Sequence, residues 1–443
     1  MEKEKSRAPE ALIGGQGRME ATLAADQQQY ERADTLLETA FRRVAGGQVA
    51  VPNTLQRALF PRLLSRDSGL LVPTAPGAGR LEAVFVPSLT RWPLSEMPPR
   101  LFIVAPDRAV LDDYEYRLIP YVRSLAASDG VPRTVYMTND PMSPACRNYM
   151  PDGRTEPQEC AHPLDSEIDL FVLRMSEFRA LFFSDGIVKG LPEATMPQEM
   201  DDASPRSDML YFDDAPEYSP EQFGSFLRLI EFLFAEDLDI VVGSTTLPRA
   251  AIEQLSFLET LYVPEANDEP IRTIQSIDRK RWTPPAIAAA IEDAQSAVLI
   301  AETDDEANGL ASSIYEATGA PPTLYLASMP ADDRLSVYGG LRTAEREGRR
   351  YVCIADPAVA EAVDLSADLV VTGVCSPESL VRRAGRCNRR REFASGRILV
   401  ITEEAEKSAK RLSKYESAYT SMIRDLSEPV PFSGAAWIAF IGA

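Results

Sequence analysis

"GLLVPTAPGAGRLEAVFVP", residues 69–87, decides how this chain is read. An apolar run ending at Pro73 enters a turn that carries Gly77 and Gly79, and a helix-like stretch leaves it at Arg80. Strand, glycine-rich turn and helix form the layout of a phosphate-binding loop. Where such a loop carries its lysine stands Arg80, and where it carries Ser or Thr stands Leu81. The stretch therefore predicts the shape of a nucleotide site without two of the side chains that serve one.

The chain around it alternates in the same way. Short apolar runs at "LFIVAP", "RTVYM", "IDLFVL", "MLYFDD" and "IVVGS" are separated by helix-like stretches, and a second series follows at "AVLIAET", "PTLYLAS", "RYVCIAD", "DLVVTG" and "GRILVIT". Continuous apolar strands alternating with helices predict parallel sheets covered on both faces. Two series predict an α/β protein with two tandem domains, joined near the polar stretch "PEANDEPIR" at 264–272. The expected division is an N-terminal helical lead at 1–45, a first lobe at 46–264, a second at 265–404, and a C-terminal helix with an apolar tail at 405–443. Two polar, Pro-containing segments, 139–165 and 191–208, read as irregular surface insertions.

Composition narrows the function. The 443 residues carry a net charge of -21 with 45% hydrophobic and 26% charged residues. An acidic chain is a poor general binder of nucleic acid, because long-range repulsion opposes the encounter with phosphate. With only seven lysines, nearly all the positive charge is arginine, and a salt-adapted or GC-rich host accounts for this as well as a partner does. The five cysteines have no paired short spacing, which argues against a disulfide scaffold and for a reducing cytoplasm. No apolar run is long enough to span a bilayer, and the charged start lacks a secretory core. His162 is the single histidine, so a His-Asp metal nuclease cannot be built from this sequence. Cys146, Cys160, His162 and Asp165 fit no common zinc spacing.

Other motifs follow the loop in a telling order. "YFDDAPEYSPEQF" sets Asp213 and Asp214 at a strand end, ahead of a helix start at Ser219, Pro220 and Gln222. "VVGSTTLP" ends the next strand, and "VRRAGRCNRR" closes the second series with spaced arginines. Taken singly each has a plain reading: strand-end carboxylates, or a solvated helix face.

In this order they resemble the superfamily 2 DExH-type helicases, and most closely the stand-alone helicase subunit of type I CRISPR interference, over about residues 50–400. The resemblance implies two RecA-like lobes and assigns roles by position. Gln56, Gly77, Gly79, Arg80 and Asp364 fall at nucleotide-binding positions, and Asp213 at the magnesium ligand. Asp213, Asp214, Arg386 and Arg389 fall at catalytic positions, Ser244 and Thr246 at the coupling motif, and Arg108 and Arg383 at nucleic-acid contacts. It implies ATP and Mg²⁺ as cofactors, single-stranded DNA and guide-RNA effector subunits as partners, a separate His-Asp nuclease subunit, and a cytoplasmic location.

The departures fall on the chemistry. Arginine is bulkier and more planar than lysine, and Leu81 cannot ligate a metal that needs octahedral oxygen geometry. Asp214 stands for the water-orienting glutamate, Pro216 for the box's histidine, and Arg382 for the glutamine before the arginine motif; Asp356, Pro357 and Ala362 replace polar and glycine positions. Phosphoryl transfer depends on positioning and charge stabilisation, so altering several such groups together predicts ATP and Mg²⁺ unused or weakly bound. The expected role is a DNA- or partner-binding scaffold in an interference complex. An active ATP-dependent 3′-to-5′ helicase and a protein-interaction module without nucleic-acid contact stand as alternatives.

Overall fold

A computed structural model describes residues 35, 37–39, 52–65, 69–74, 78–91, 100–106, 108–137, 145–160, 168–182, 208–214, 220–236, 238–245, 247, 249–263, 271–402 and 417–433. Most of the N-terminal lead, the 191–207 insertion and the tail from 434 lie outside them, as do Gly77, His162, Pro216, Ser219 and Thr246.

The first sheet is built on the apolar runs named above. Its strands are β1 (Leu70–Pro73), β2 (Leu101–Ala105), β3 (Arg133–Met137), β4 (Cys146–Tyr149), β5 (Thr155–Pro157), β6 (Leu170–Arg174), β7 (Met209–Phe212), β8 (Asp239–Ser244) and β9 (Glu259–Thr260), in the order β5-β4-β3-β6-β2-β7-β8-β1-β9. Pairing is parallel throughout except at β3–β4 and β4–β5. Helices α1 (Thr54–Ser65), α2 (Arg80–Arg91), α3 (Arg108–Asp129), α4 (Met175–Phe182), α5 (Pro220–Ala235) and α6 (Arg249–Gln254) connect them. Residues of β2 and β6 are buried on both faces, which is why their sequences show no alternation.

The second sheet takes β10 (Arg272–Asp278), β11 (Ser296–Ile300), β12 (Thr323–Tyr325), β13 (Tyr351–Ala355), β14 (Leu369–Gly373), β15 (Gly396–Thr402) and β16 (Val430–Pro431), in the order β12-β13-β11-β14-β15-β10-β16. Only β16 runs antiparallel among these described strands. Helices α7 (Pro284–Glu292), α8 (Asp304–Thr318), α9 (Ala331–Arg346), α10 (Pro357–Ala362) and α11 (Pro377–Ala384) lie between strands, and α12 (Ser417–Asp425) packs near β10. Residues after 405, expected as a separate closing segment, thus include a strand that joins the second sheet.

Two expectations need correction. Segment 139–165 is not irregular throughout: β4 and β5 form an antiparallel hairpin on β3, turned at Gly153 with φ 86°. The strand at "IRTIQSID" was not among the expected runs, yet β10 pairs along its length with β15.

What positions the site is the convergence of β1, β7 and β8. Pro73 lies opposite Ser244 and Phe212 opposite Val242, so Thr74, Asp213 and Thr245 emerge together at the C-terminal ends of adjacent strands. That end of an open parallel sheet is where α/β proteins place ligands.

Candidate functional site

The loop is braced from the side. Asn53 and Gln56 bond reciprocally, Gln56 N to Asn53 Oδ1 and Asn53 N to Gln56 Oε1, each at 2.9 Å, in the manner of a capping box at the start of α1. Their amides then donate to the loop carbonyls, Asn53 Nδ2 to Ala78 at 2.9 Å and Gln56 Nε2 to Gly79 at 3.4 Å. Gly79 has φ 74°, and a Cβ there would meet Gln56 Nε2 at 3.0 Å, so both backbone and space call for glycine. Gln56, assigned to a nucleotide-binding position, has its carboxamide occupied by this brace.

Arg80 is buried, and its guanidinium turns to the acidic pair. Nη2 lies 2.5 Å from Asp213 Oδ1 and 2.9 Å from Asp214 Oδ1, Nε lies 3.0 Å from Asp213 Oδ1 and from the Tyr211 hydroxyl, and Nη1 reaches Thr74 Oγ1 at 3.3 Å. The other oxygen of Asp213, Oδ2, accepts from the Tyr114 hydroxyl, and Tyr211 donates to Oδ1 at 2.7 Å. Both carboxylate oxygens therefore have partners. Burial alone would raise the Asp213 pKa; the Arg80 charge and the bonds from Tyr114 and Tyr211 outweigh it and hold the carboxyl below its usual range. Burial and the adjacent Asp213 charge together push both tyrosines well up, so they remain donors.

The neighbours leave room for this arrangement. A Cβ on Gly243 would fall 2.5 Å from Arg80 Nε, 2.6 Å from its Cδ and 2.8 Å from the Tyr211 hydroxyl. Asp214 takes a left-handed conformation, φ 44°, and its Oδ1 also accepts from Thr245 N at 3.2 Å and Thr245 Oγ1 at 3.1 Å. Thr245 carries no role in the motif reading, which assigns coupling to Ser244, buried in β8, and to Thr246. The signal available was position: Thr245 is the first residue past β8, level with the acidic pair.

Arg382, Arg383, Arg386, Arg389 and Arg390 of the second lobe are matched by carboxylates or carbonyls. Arg382 and Arg383 each lie 2.7 Å from Glu361, and Arg383 also meets Glu302 at 2.9 Å and Thr372 Oγ1 at 2.8 Å. Arg389 lies 2.5 Å from Asp364, and Arg390 lies 2.9 Å from both Asp364 and Glu345. Arg386 donates to the carbonyls of Ala360 and Glu361, and burial together with Arg389 lowers its pKa to about 10, leaving it charged at neutral pH. Arg383, assigned to nucleic acid, is 3% exposed and turned inward, so it presents no charge to a strand. Asp364, assigned to the nucleotide, is an anchor for arginines. Arg108 begins α3, at the end of the sheet where the loop lies.

Between the lobes remains a cavity of about 80 Å³, lined by Gly79, Arg80, Asp213, Asp214, Arg386 and Arg389 among others. Pockets that bury a ligand of drug size hold about 300–1,000 Å³. The structure brings Gly79, Arg80, Asp213, Asp214, Arg386 and Arg389 to one cavity, while the Gln56 carboxamide bonds Asn53 and Gly79 and the Asp364 carboxylate bonds Arg389 and Arg390. A magnesium ion does not fit the residues present: the Asp213 oxygens hold Arg80 and two tyrosines, and Leu81 supplies no oxygen. No group of three or more His, Cys, Asp or Glu among the described residues is placed to hold a metal. No helix among them is long and apolar enough to cross a membrane.

Residues 293–392 match the family model described as CRISPR-associated nuclease/helicase Cas3, C-terminal. Among curated proteins no sequence matches. Among solved structures, T. fusca Cas3 with ADP is similar at a TM-score of 0.61 and 17% identity, over 92% of this chain and 53% of that one. The DUF1998 helicase MrfA bound to DNA and AMPPNP gives 0.58 and 15%, over 85% and 52%. A CRISPR RNA-guided surveillance complex in a pre-nicking state gives 0.54 and 16%, over 88% and 51%. The chain spans about half the length of each of these. In fold the chain is similar to Cas3 and to other helicases of known structure, and residues 293–392 carry the match to the Cas3 C-terminal family model.

Proposed function

We propose that this chain is a helicase-like subunit of a type I CRISPR interference complex that keeps the two-lobed body as a scaffold and hydrolyses little or no ATP. The observation that carries this reading is the Arg80 guanidinium lying between Asp213 and Asp214, where the family's loop and acidic box would hold lysine and Mg²⁺. A fixed side-chain cation there satisfies the carboxylates internally. Catalysis of phosphoryl transfer by positioned metal and charge then has no foothold. The small cleft supports the same reading, as does Leu81. Cas3 matches and the surveillance-complex likeness support the CRISPR setting, with guide-RNA effector subunits and a separate His-Asp nuclease as partners in the cytoplasm.

Between the two things such a scaffold could hold, the charge pairing favours a protein partner over DNA. In the arginine motif, the most basic run in the chain, Arg382, Arg383, Arg389 and Arg390 are matched by Glu361, Glu302, Asp364 and Glu345, and Arg386 is held by backbone carbonyls. The lobes in this reading run 46–264 and 265–404, with the later segment completing the second.

The test is ATP hydrolysis with Mg²⁺ and single-stranded DNA, alone and with the co-purifying effector complex. The expected result is a rate indistinguishable from that of Asp213→Ala. DNA-stimulated hydrolysis that Asp213→Ala abolishes would sink the reading and restore the active helicase.

A further inference from the structure

The lobes meet through a second set of contacts beside the cleft, whose wall Asp113 and Arg117 also line. Helix α3 of the first lobe packs against α9 and α10 of the second. Asp112 on α3 and Arg334 on α9 form a two-pronged pair, Nε to Oδ2 at 2.6 Å and Nη2 to Oδ1 at 3.3 Å, with side-chain exposures of 0% and 4%. The next residue, Asp113, accepts from the Tyr338 hydroxyl and from Asp364 N at 3.3 Å. Arg117, one turn further along α3, holds the other oxygen of Asp113 at 2.8 Å and also pairs with Glu82 on α2. Tyr116 reaches into the second lobe's core, its ring 5.0 Å from that of Tyr338 and edge-on to it.

Each link in this chain of contacts runs from side chain to side chain or backbone. The cleft differs: its acidic pair is held by Arg80 of the same lobe, and Arg386 and Arg389 are held by Ala360, Glu361 and Asp364 of theirs. A clamp closed by nucleotide needs bonds that pass through the nucleotide. Here the Asp112–Arg334 bonds across the lobes bypass that position, with both residues outside the cleft lining.

We infer that Asp112–Arg334 and Asp113–Tyr338 form a built-in latch that keeps the lobes closed without nucleotide. Arg334 is further fixed by the Met329 carbonyl at 2.6 Å, so its fork is aimed before the lobes meet. A buried bidentate Arg–carboxylate pair is geometrically demanding and tolerates little sliding. The latch makes the two lobes one rigid partner surface. It deepens the scaffold reading but rests on different residues.

The experiment is single-molecule fluorescence transfer on the full chain, with one dye on each lobe at exposed positions, without nucleotide and with Mg²⁺–AMPPNP. The expected result is one narrow distance, unchanged by nucleotide. Arg334→Ala broadens it, and the exchange Asp112→Arg with Arg334→Asp narrows it again. Should Arg334→Ala fail to fold, Tyr338→Phe, which deletes only a hydroxyl, broadens the distribution by a smaller amount. A wild-type distribution that is broad until nucleotide is added overturns the latch, and so does an Arg334→Ala or Tyr338→Phe distribution as narrow as wild type. The ATPase assay is read separately: hydrolysis at a fixed distance defeats the scaffold reading and leaves the latch standing.

Discussion

Arg80 Nη2 lies 2.5 Å from Asp213 Oδ1, although the two residues are 133 positions apart in the chain. The pair joins the first turn of α2 to the end of β7, and with Tyr114 it also ties in α3. It is a buried ion pair with its remaining polar atoms largely satisfied. Such a pair is costly to break from one side, because the surviving charge stays buried.

Replacing Arg80 by Ala should therefore destabilise the protein by about 3–5 kcal/mol. Urea unfolding followed by circular dichroism reads this as a lower midpoint. A loss below about 1 kcal/mol, the range of exposed pairs, would mean that the guanidinium is hydrated and mobile instead.

Acid sensitivity should change sign with the same residue. In the wild type the Asp213 pKa is depressed, so its contribution is complete well above the unfolded value of about 3.9 and is lost as pH falls through the lower folded value. In Arg80→Met, burial becomes the dominant effect and raises the carboxyl. The variant should then regain part of its stability as pH falls from neutral, where the wild type gains none from Asp213. Urea midpoints measured for both proteins at stepped pH check the difference; parallel curves would contradict it.

Gly243→Ala should cost about 1–3 kcal/mol, as overpacking does, because its methyl group would overlap Arg80 and Tyr211. In the Arg80→Ala background the cost should shrink, since the obstructing side chain is gone. The coupling in that double-mutant cycle is the measurement; strict additivity would show that Gly243 serves the strand and not the arginine.

Arg383→Ala should lower stability without altering the salt dependence of any single-stranded DNA binding. A side chain that neutralises one phosphate of a single strand contributes about 0.7 to the slope of log K against log salt. Fluorescence anisotropy with an oligonucleotide at several salt concentrations gives the slope. A slope shallower by that amount in the variant would place Arg383 on the strand after all.

Much of the fold was legible because its strands are buried on both faces. β1, β2, β6, β7 and β8 read as unbroken apolar runs, and nothing in their surroundings competes with that pattern. The β4–β5 hairpin escapes a sequence reading because only Cys146 and Tyr149 of its first strand are buried, while Pro-rich composition speaks for a loop. The turn signal is present all the same: "PDGR" at 151–154 places Gly153 where a positive φ is needed. β10 escapes it because the strand is only half covered, with three of its seven residues intermediate in a row.

The site was legible as a set of positions and not as a set of bonds. Motif order brought Arg80, Asp213, Asp214, Arg386 and Arg389 to one cleft. It could not show that Arg80 reaches Asp213, that Arg383 turns to Glu302, or that Asp112 finds Arg334. Those pairings join residues 81 to 222 positions apart, and side-chain direction decides them.

The space that Gly243 opens for a guanidinium also governs which substitutions this chain can accept one at a time. A lysine at position 80 would lack the fork that meets Tyr211, Asp213 and Asp214 at once, and a threonine at position 81 would replace a buried leucine with a hydroxyl. Gly243, Tyr211, Asp213 and Asp214 therefore constrain position 80 jointly, so a change at any one of them is felt by the other three.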